Sequence, residues 1–167
     1  MQRRRHWRWA LIVPVLAACS GGTEAEPYAA VEFGTGEQVS TDQYLGQPVL
    51  LAGWATWCVP CERELPELDT YVDERANADQ ADDLVVVAVN IDQTTIGDDD
   101  VAAMLQRLEV SLPTWRDPDG TLLTQFGGST MPFSVLLDRD GEVSKTWIGA
   151  LDVDDDEFLD AIAAVTS

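Results

Sequence analysis

Histidine and basic side chains are scarce in this 167-residue chain. Its only histidine is His6, and Lys145 is its only lysine. Ten basic residues stand against 30 acidic ones, which gives a formal net charge of -20 at pH 7. Such a surface repels phosphate backbones and anionic headgroups, which argues against nucleic-acid binding. The acidity indicates a well-solvated surface, and adaptation to high salt is the alternative. Beyond His6 there is no imidazole for a Cys-His site, a Ser-His-Asp site or a metal site.

Cysteine is also scarce, and two of the three cysteines form a close pair. Cys58 and Cys61 are separated by two residues, where an apolar strand pattern over residues 48–54 gives way to a helical pattern over residues 59–76. A C-x-x-C pair beside a βαβ pattern is typical of thioredoxin-like redox sites. The first thiol is expected near the positive end of the helix dipole, which favours the thiolate. The second lies one turn further along, close enough for a disulfide.

A permanent structural disulfide and half of a zinc site are the alternatives for this pair. A bridge between Cys58 and Cys61 closes so short a loop that the gain in chain entropy is small. Zinc would need two further ligands, which are missing if Cys19 is lipidated and His6 is removed with a leader. We therefore predict a redox-active disulfide between Cys58 and Cys61, with no metal and no cofactor.

Residues 1–18 have the features of an export signal. The run Arg3-Arg4-Arg5 supplies a positively charged amino-terminal region, and residues 9–18 are apolar. This apolar run is too short to span a bilayer and is interrupted by Pro14, so a cleaved signal is favoured over a permanent anchor helix.

The end of this segment predicts a lipid anchor. The run Leu16-Ala17-Ala18-Cys19 resembles the lipobox of bacterial lipoproteins, in which the cysteine is acylated and becomes the new amino terminus. The alternative is an ordinary cleavage site followed by a spare cysteine. Residues 19–29 are mostly small and polar and predict a flexible tether, which leaves residues 30–167 as the folded domain.

The rest of the chain predicts alternating strands and helices. A hairpin and a helical turn come first, followed by a βαβ pattern, further helices, a second hairpin and a last helix. The predicted elements are a hairpin over 31–40, a turn over 40–46, strand 48–54, helix 59–76, strand 84–91, helix 99–109, a short helix through Leu122 and Phe126, strands 133–137 and 142–148, and helix 154–165. This order implies an α/β domain whose mixed sheet is covered by helices on both faces.

Four motifs together resemble the TlpA/ResA-like branch of the thioredoxin superfamily over residues 30–165. They are Trp54-Ala55-Thr56-Trp57-Cys58-Val59-Pro60-Cys61, Glu64-Leu65-Pro66-Glu67-Leu68, Met131-Pro132-Phe133 and Val135-Leu136-Leu137-Asp138-Arg139-Asp140-Gly141. The resemblance implies a thioredoxin-like fold with an N-terminal β extension and a central strand–helix insertion. Members of this branch are exported and often membrane-tethered, and they reduce disulfides of other envelope proteins, including apocytochrome c and copper-site proteins.

The resemblance also implies roles for residues around the cysteines. Glu64 matches an acid of ResA-like members and is the candidate proton acceptor for Cys61; the alternative is a solvated carboxylate that complements the helix dipole. Pro132 is expected to follow a cis bond, so that the backbone of Met131 faces the thiols and pairs with an extended substrate segment. Trp57, Val59 and Pro60 are expected to complete the substrate surface, whereas the ring of Trp54 is expected inside.

Three positions depart from the pattern of this branch. Ala52 stands where many thioredoxins have a buried acid and this branch often has an amide. Gly53 replaces a common aromatic residue, and Met131 precedes the loop proline where threonine is frequent. The first change removes a candidate proton acceptor, and the other two reshape the apolar floor beneath the thiols.

The predicted function is therefore an extracytoplasmic, membrane-tethered thiol–disulfide oxidoreductase that reduces envelope proteins, for example in cytochrome c maturation. Cys58 attacks as the more exposed thiol and Cys61 resolves the mixed disulfide. The Val59-Pro60 spacer resembles reducing members, and a membrane thiol-transfer protein is the expected electron donor. A peroxiredoxin-like peroxidase is one alternative, although Thr56 lies two residues before Cys58 and not the usual three. A catalytically inert lipoprotein that serves as a binding module is the other.

Overall fold

The fold is described by a computed structural model for residues 26–77 and 84–167. The predicted signal over residues 1–18, the lipidation site Cys19 and most of the predicted tether lie outside the described residues. Within them, no helix combines the length and the apolar character needed to cross a membrane.

A mixed sheet of seven strands forms the centre of the described part of the chain. The strands are β1 (Ala29–Glu32), β2 (Gln38–Ser40), β3 (Val49–Trp54), β4 (Val85–Asn90), β5 (Thr114–Arg116), β6 (Phe133–Leu137) and β7 (Val143–Ile148). Their order across the sheet is β2-β1-β5-β4-β3-β6-β7. β3, β4 and β5 are parallel, whereas the other neighbouring pairs are antiparallel. The continuous apolar sequences of β3 and β4 suit these central positions, because both faces of a central strand are buried.

Helices cover both faces of this sheet. They are α1 (Cys61–Asn77), α2 (Asp98–Arg107), α3 (Thr121–Phe126) and α4 (Asp156–Thr166), with a 3₁₀ turn at Thr41–Tyr44. Alternate residues of β3 point to opposite faces. Leu50 and Ala52 pack on the side of α1, α2 and α4, whereas Val49 and Leu51 pack on the side of α3. The prediction of a mixed sheet with helices on both faces is confirmed.

The predicted elements are present with small shifts at their ends. α1 begins at Cys61, two residues later than predicted, and continues through Pro66 to Asn77. β6 and β7 form the predicted antiparallel hairpin, and Gly127 ends α3 in the left-handed conformation. Strand β5 was not predicted, because three residues beside the turn at Asp117-Pro118 are too few to show a two-residue period. β5 nevertheless joins the amino-terminal hairpin to the core, since Val31 pairs with Arg116.

Gly53 of β3 has no room for a side chain. An added Cβ would lie 2.7 Å from the Leu122 side chain, 2.7 Å from the Phe133 carbonyl oxygen and 3.0 Å from the Met131 side chain. The volume that a larger residue would occupy at this position is therefore filled by α3 and by the segment before β6. The expectation that Gly53 and Met131 reshape the floor of the site agrees with this contact.

We predict that Gly53→Ala destabilises the fold by about 1–3 kcal/mol, because a methyl group at this position forces backbone or side-chain shifts in a packed core. Urea unfolding measures the change. Gly97→Ala is the control, since its Cβ would meet no atom closer than 3.9 Å. An equal loss of stability in both variants would contradict the packing argument.

Candidate active site

The two cysteines form a disulfide at the end of β3. Cys58 and Cys61 are bonded with an S–S distance of 2.00 Å and a Cα–Cα distance of 5.4 Å. Cys58 precedes α1 by three residues and Cys61 is its first residue. Both are buried, with exposed fractions of 3% and 1%. These values describe the disulfide form, and the expectation that Cys58 is the more exposed thiol of the reduced pair stays a prediction.

The exposed apolar surface beside the disulfide comes from the same loop. Trp57 is 63% exposed and Val59 is 75% exposed, and Pro60 is also exposed. Trp54 is fully buried, as expected, because it is the last residue of β3 and faces α1 and α2. The loop thus presents one indole and two small apolar side chains to an approaching protein.

The segment before β6 lies next to this loop. β6 runs antiparallel to β3, and Phe133 pairs with Gly53, so the start of β6 adjoins the end of β3. The Met131–Pro132 bond is cis, as predicted. The Met131 side chain is partly buried and packs against both apolar cores. The sheet pairing thereby places the predicted substrate-binding backbone beside the disulfide loop.

Glu64 is a buried carboxylate one turn into α1, with an exposed fraction of 2%. Burial raises its pKa to about 7, against the opposing effect of two hydrogen bonds. The Leu151 N–H donates to Oε2 at 3.2 Å, and the Ser134 hydroxyl donates to Oε1 at 3.4 Å. The alternative of a solvated residue at the helix start is therefore wrong. A carboxyl group with this pKa can accept or release a proton near neutral pH.

Sequence reasoning missed a second buried carboxylate behind the cysteine loop. Asp92 follows β4 and has no exposed surface. Its Oδ2 accepts hydrogen bonds from the Thr56 N–H at 2.8 Å and the Asn90 amide at 2.8 Å, and its Oδ1 accepts one from the Thr56 hydroxyl at 3.1 Å. Its place after the carboxyl end of a central parallel strand was the available signal, because sites gather at that edge.

Arg116 extends this network to β5. Its guanidinium donates to the side-chain oxygen of Asn90 and, at 3.0 Å, to the Ile96 carbonyl. It also pairs with Asp98 at 3.2 Å. The network of Thr56, Asn90, Asp92 and Arg116 therefore connects the loop after β3 to the ends of β4 and β5. In the described ranges, no group of three or more His, Cys, Asp or Glu residues is arranged to hold a metal ion.

Residues 22–162 match the family model described as Redoxin. The sporulation thiol-disulfide oxidoreductase A of Bacillus subtilis is 31% identical over 116 residues, which are 70% of this chain and 67% of that relative. The thiol-disulfide oxidoreductase ResA of Geobacillus thermodenitrificans is 29% identical over 138 residues, which are 83% of this chain and 75% of that relative. Both matches agree with the TlpA/ResA-like resemblance of the motifs.

Solved structures agree with the fold. A crystal structure from Chlorobium tepidum, described as a thiol:disulfide interchange protein DsbE, has a TM-score of 0.72 and 28% identity and covers 86% of this chain and 96% of its own. The exposed lipoprotein thioredoxin Etrx1 of Streptococcus pneumoniae has a TM-score of 0.63 and 27% identity and covers 83% and 96%. The fold is therefore thioredoxin-like.

The raised pKa of Glu64 predicts a pH-dependent stability. The pKa of Glu64 in the folded protein is about 7, above its ordinary value of 4.5, so the folded state binds this proton more tightly than the unfolded chain. The resulting stabilisation of the fold is fully present below about pH 4.5 and is lost as pH rises through about 7. Glu64→Gln stays neutral, and its stability relative to the parent chain should therefore increase by roughly 2 kcal/mol between pH 5 and pH 8.

Urea unfolding of both proteins at each pH measures this difference. Glu67→Gln is the control, because Glu67 lies on the same helix but is partly exposed; its difference from the parent should change by less than about 0.5 kcal/mol. A stability difference for Glu64→Gln that stays constant with pH would contradict the assignment.

Proposed function

The chain belongs to the Redoxin family, and on this premise we propose that it is a membrane-tethered reductase of disulfides in cell-envelope proteins. It is a thiol–disulfide oxidoreductase of the same type as ResA, DsbE and the sporulation thiol-disulfide oxidoreductase A. The observation that carries the proposal is the Cys58–Cys61 disulfide at the junction of β3 and α1, with the buried Glu64 on the same helix. This arrangement supplies two sulfurs for exchange and a carboxyl group that titrates near neutral pH.

The reaction begins with the reduced protein. The Cys58 thiolate attacks one sulfur of a substrate disulfide, a new bond forms between Cys58 and that sulfur, and the other substrate sulfur leaves as a thiolate. The position of Cys58 just before a helix start favours the thiolate that this attack requires. The mixed disulfide then holds the substrate on the protein.

Resolution of the mixed disulfide uses Cys61. Loss of its proton gives a thiolate that attacks the Cys58 sulfur, releases the second substrate thiolate and leaves the Cys58–Cys61 disulfide. Glu64 lies three residues further along α1, so the two side chains share a helix face. With a pKa of about 7, Glu64 is suited to take up the Cys61 proton and later pass it to solvent. Two electrons move from the protein to the substrate.

The surroundings of the disulfide suit an extended protein segment. Trp57, Val59 and Pro60 offer apolar contacts on one side, and the backbone of Met131 before Pro132 offers hydrogen-bonding groups on the other. Substrate binding by these five residues is part of the proposal. Large exposed apolar residues next to a reactive disulfide are otherwise unfavourable in water, which supports their use as a contact surface.

The proposed location rests on the leader sequence. A positive start, a short apolar run and the Leu16-Ala17-Ala18-Cys19 motif are the features of a lipoprotein signal, so Cys19 is the proposed lipid attachment site. The similarity to a pneumococcal exposed lipoprotein thioredoxin supports this location. A reductase outside the cytoplasm must itself be reduced again, and a membrane thiol-transfer protein is the proposed donor.

Trapping of mixed disulfides tests the function. Cys61→Ser retains the attacking sulfur but cannot resolve, so complexes with envelope proteins that dissociate in dithiothreitol should accumulate in cells. Cys58→Ser is the matched control and should give none. Recovery of cytochrome c maturation proteins would support the narrower role. An absence of complexes, together with a parent protein that stays oxidised in cells, would refute the reductase.

Cell fractionation tests the location. The parent chain should sediment with membranes, and Cys19→Ala should no longer carry a lipid or sediment with them, because acylation at that cysteine supplies the membrane affinity. Ser20→Ala is the control beside the attachment site. A parent chain that carries no lipid would disprove the anchor.

A further inference from the structure

Asp92 is a buried carboxylate that no step of the proposed reaction uses. It lies directly behind the cysteine loop, and two of its three hydrogen bonds come from Thr56, two residues before Cys58. A buried carboxylate is costly unless donors compensate its charge. Neutral acceptors could also hold Thr56, so the presence of a negative charge at this position needs a reason beyond packing.

The charge of Asp92 is hydrogen-bonded to the loop that carries the reacting sulfur. Consecutive Cα atoms are about 3.8 Å apart, so the Cα of Cys58 lies within about 8 Å of the Cα of Thr56, whose donors contact the carboxylate. Asp92 has no exposed surface and Cys58 is 3% exposed, so water and salt screen their interaction less than they screen a pair of surface charges.

Other charged groups surround this loop. The guanidinium of Arg116 donates to the side-chain oxygen of Asn90 and pairs with Asp98. Neither of these contacts is with Asp92. Arg107 pairs with Glu62 at the start of α1. Asp100 and Arg107 line a groove with Thr56, and Asp119 lines a groove with Trp57 and Asp92. Arg63 and Glu64 lie further along α1. The positive end of α1 opposes these negative groups.

A fixed negative charge affects the two redox states differently. The reduced pair carries a thiolate at Cys58, whereas the disulfide is uncharged, so a nearby anion disfavours the reduced state. A pair whose reduced state is disfavoured has a lower reduction potential and gives up its electrons more readily. The carboxylate therefore favours electron flow from this protein to its substrate.

We propose that Asp92 is a positioning residue that holds the cysteine loop through Thr56 and whose charge makes the reduced Cys58–Cys61 pair a stronger electron donor. The inference rests on the proposed function, because it concerns the direction of electron flow at the same site. It assigns that direction to a group in the loop after β4, outside the C-x-x-C motif.

Asp92→Asn tests the charge while keeping the size of the side chain. Thiolate absorbance against pH gives the titration of Cys58, and redox titration gives the equilibrium in which the dithiol and glutathione disulfide yield the protein disulfide and two glutathiones. In the variant, Cys58 should titrate at lower pH, and this equilibrium constant should fall about tenfold. Asp117→Asn is the control, because Asp117 is a buried carboxylate at the same sheet edge whose bonds go to Thr121 and Leu122 of α3.

Thr56→Val separates charge from loop position. It removes one hydrogen bond from the carboxylate but leaves the charge, so Cys58 should titrate at higher pH and the equilibrium constant should rise by about two- to threefold. A purely structural role would shift both variants in the same direction. That result, an unchanged Asp92→Asn, or an equal shift in Asp117→Asn would overturn the proposal. If Asp92→Asn does not fold, the sign of the Thr56→Val shift alone decides.

The parent protein distinguishes this proposal from the proposed function. Reduction of a disulfide-bonded model protein by the parent chain tests the function. Its result does not depend on how the substitutions shift the titration of Cys58 or the equilibrium constant. A parent chain that reduces disulfides, with no shift in Asp92→Asn, would refute the role of Asp92 and leave the reductase intact.

Discussion

Strand pairing at one edge of the sheet is the constraint on which the site depends. β3, β4 and β5 are parallel, and at their ends Trp54 pairs with Asn90, which in turn pairs with Arg116. Their carboxyl ends therefore meet, and the loops that follow them carry the cysteines and Asp92. β6 runs the other way, so its beginning, with the cis bond before Pro132, arrives at the same edge. Segments about 70 residues apart in sequence become neighbours for this reason alone.

Burial gives the carboxylates of this acidic protein different properties. Among the residues that the structure describes, most acids are exposed and keep the surface hydrated, whereas Glu64, Asp92 and Asp117 are buried. Asp92 and Asp117 accept hydrogen bonds of 2.8–3.0 Å from backbone N–H groups. Glu64 has one backbone donor and a hydroxyl at 3.4 Å, and desolvation dominates its pKa. Carboxyl groups thus form the hydrated surface, accept hydrogen bonds that hold loops and, at Glu64, provide a group whose pKa is about 7.

The departures from the TlpA/ResA-like pattern are accommodated by neighbouring strands and helices. Ala52 leaves the centre of β3 without a polar side chain, but the opposite residue on β6 is Ser134, which donates to Glu64. Gly53 leaves space that Leu122 and Met131 fill. The polar partner of Glu64 thus comes from β6, and the apolar floor comes from α3 and the segment before β6.

Local patterns were enough to predict much of this protein. The C-x-x-C spacing, the apolar run of β3, the hairpin around Asp138-Arg139-Asp140-Gly141 and the helix periodicities each depend on residues near one another in sequence, and the motifs together indicated the family. Strand β5 was too short for such a signal. The burial of Glu64 and the contact of Asp92 with Thr56 could not be predicted from local patterns either, because both depend on which distant segments meet at the sheet edge. Desolvation and hydrogen bonding act through space, so the pKa of Glu64 and the fixed charge behind Cys58 became visible only with the chain folded.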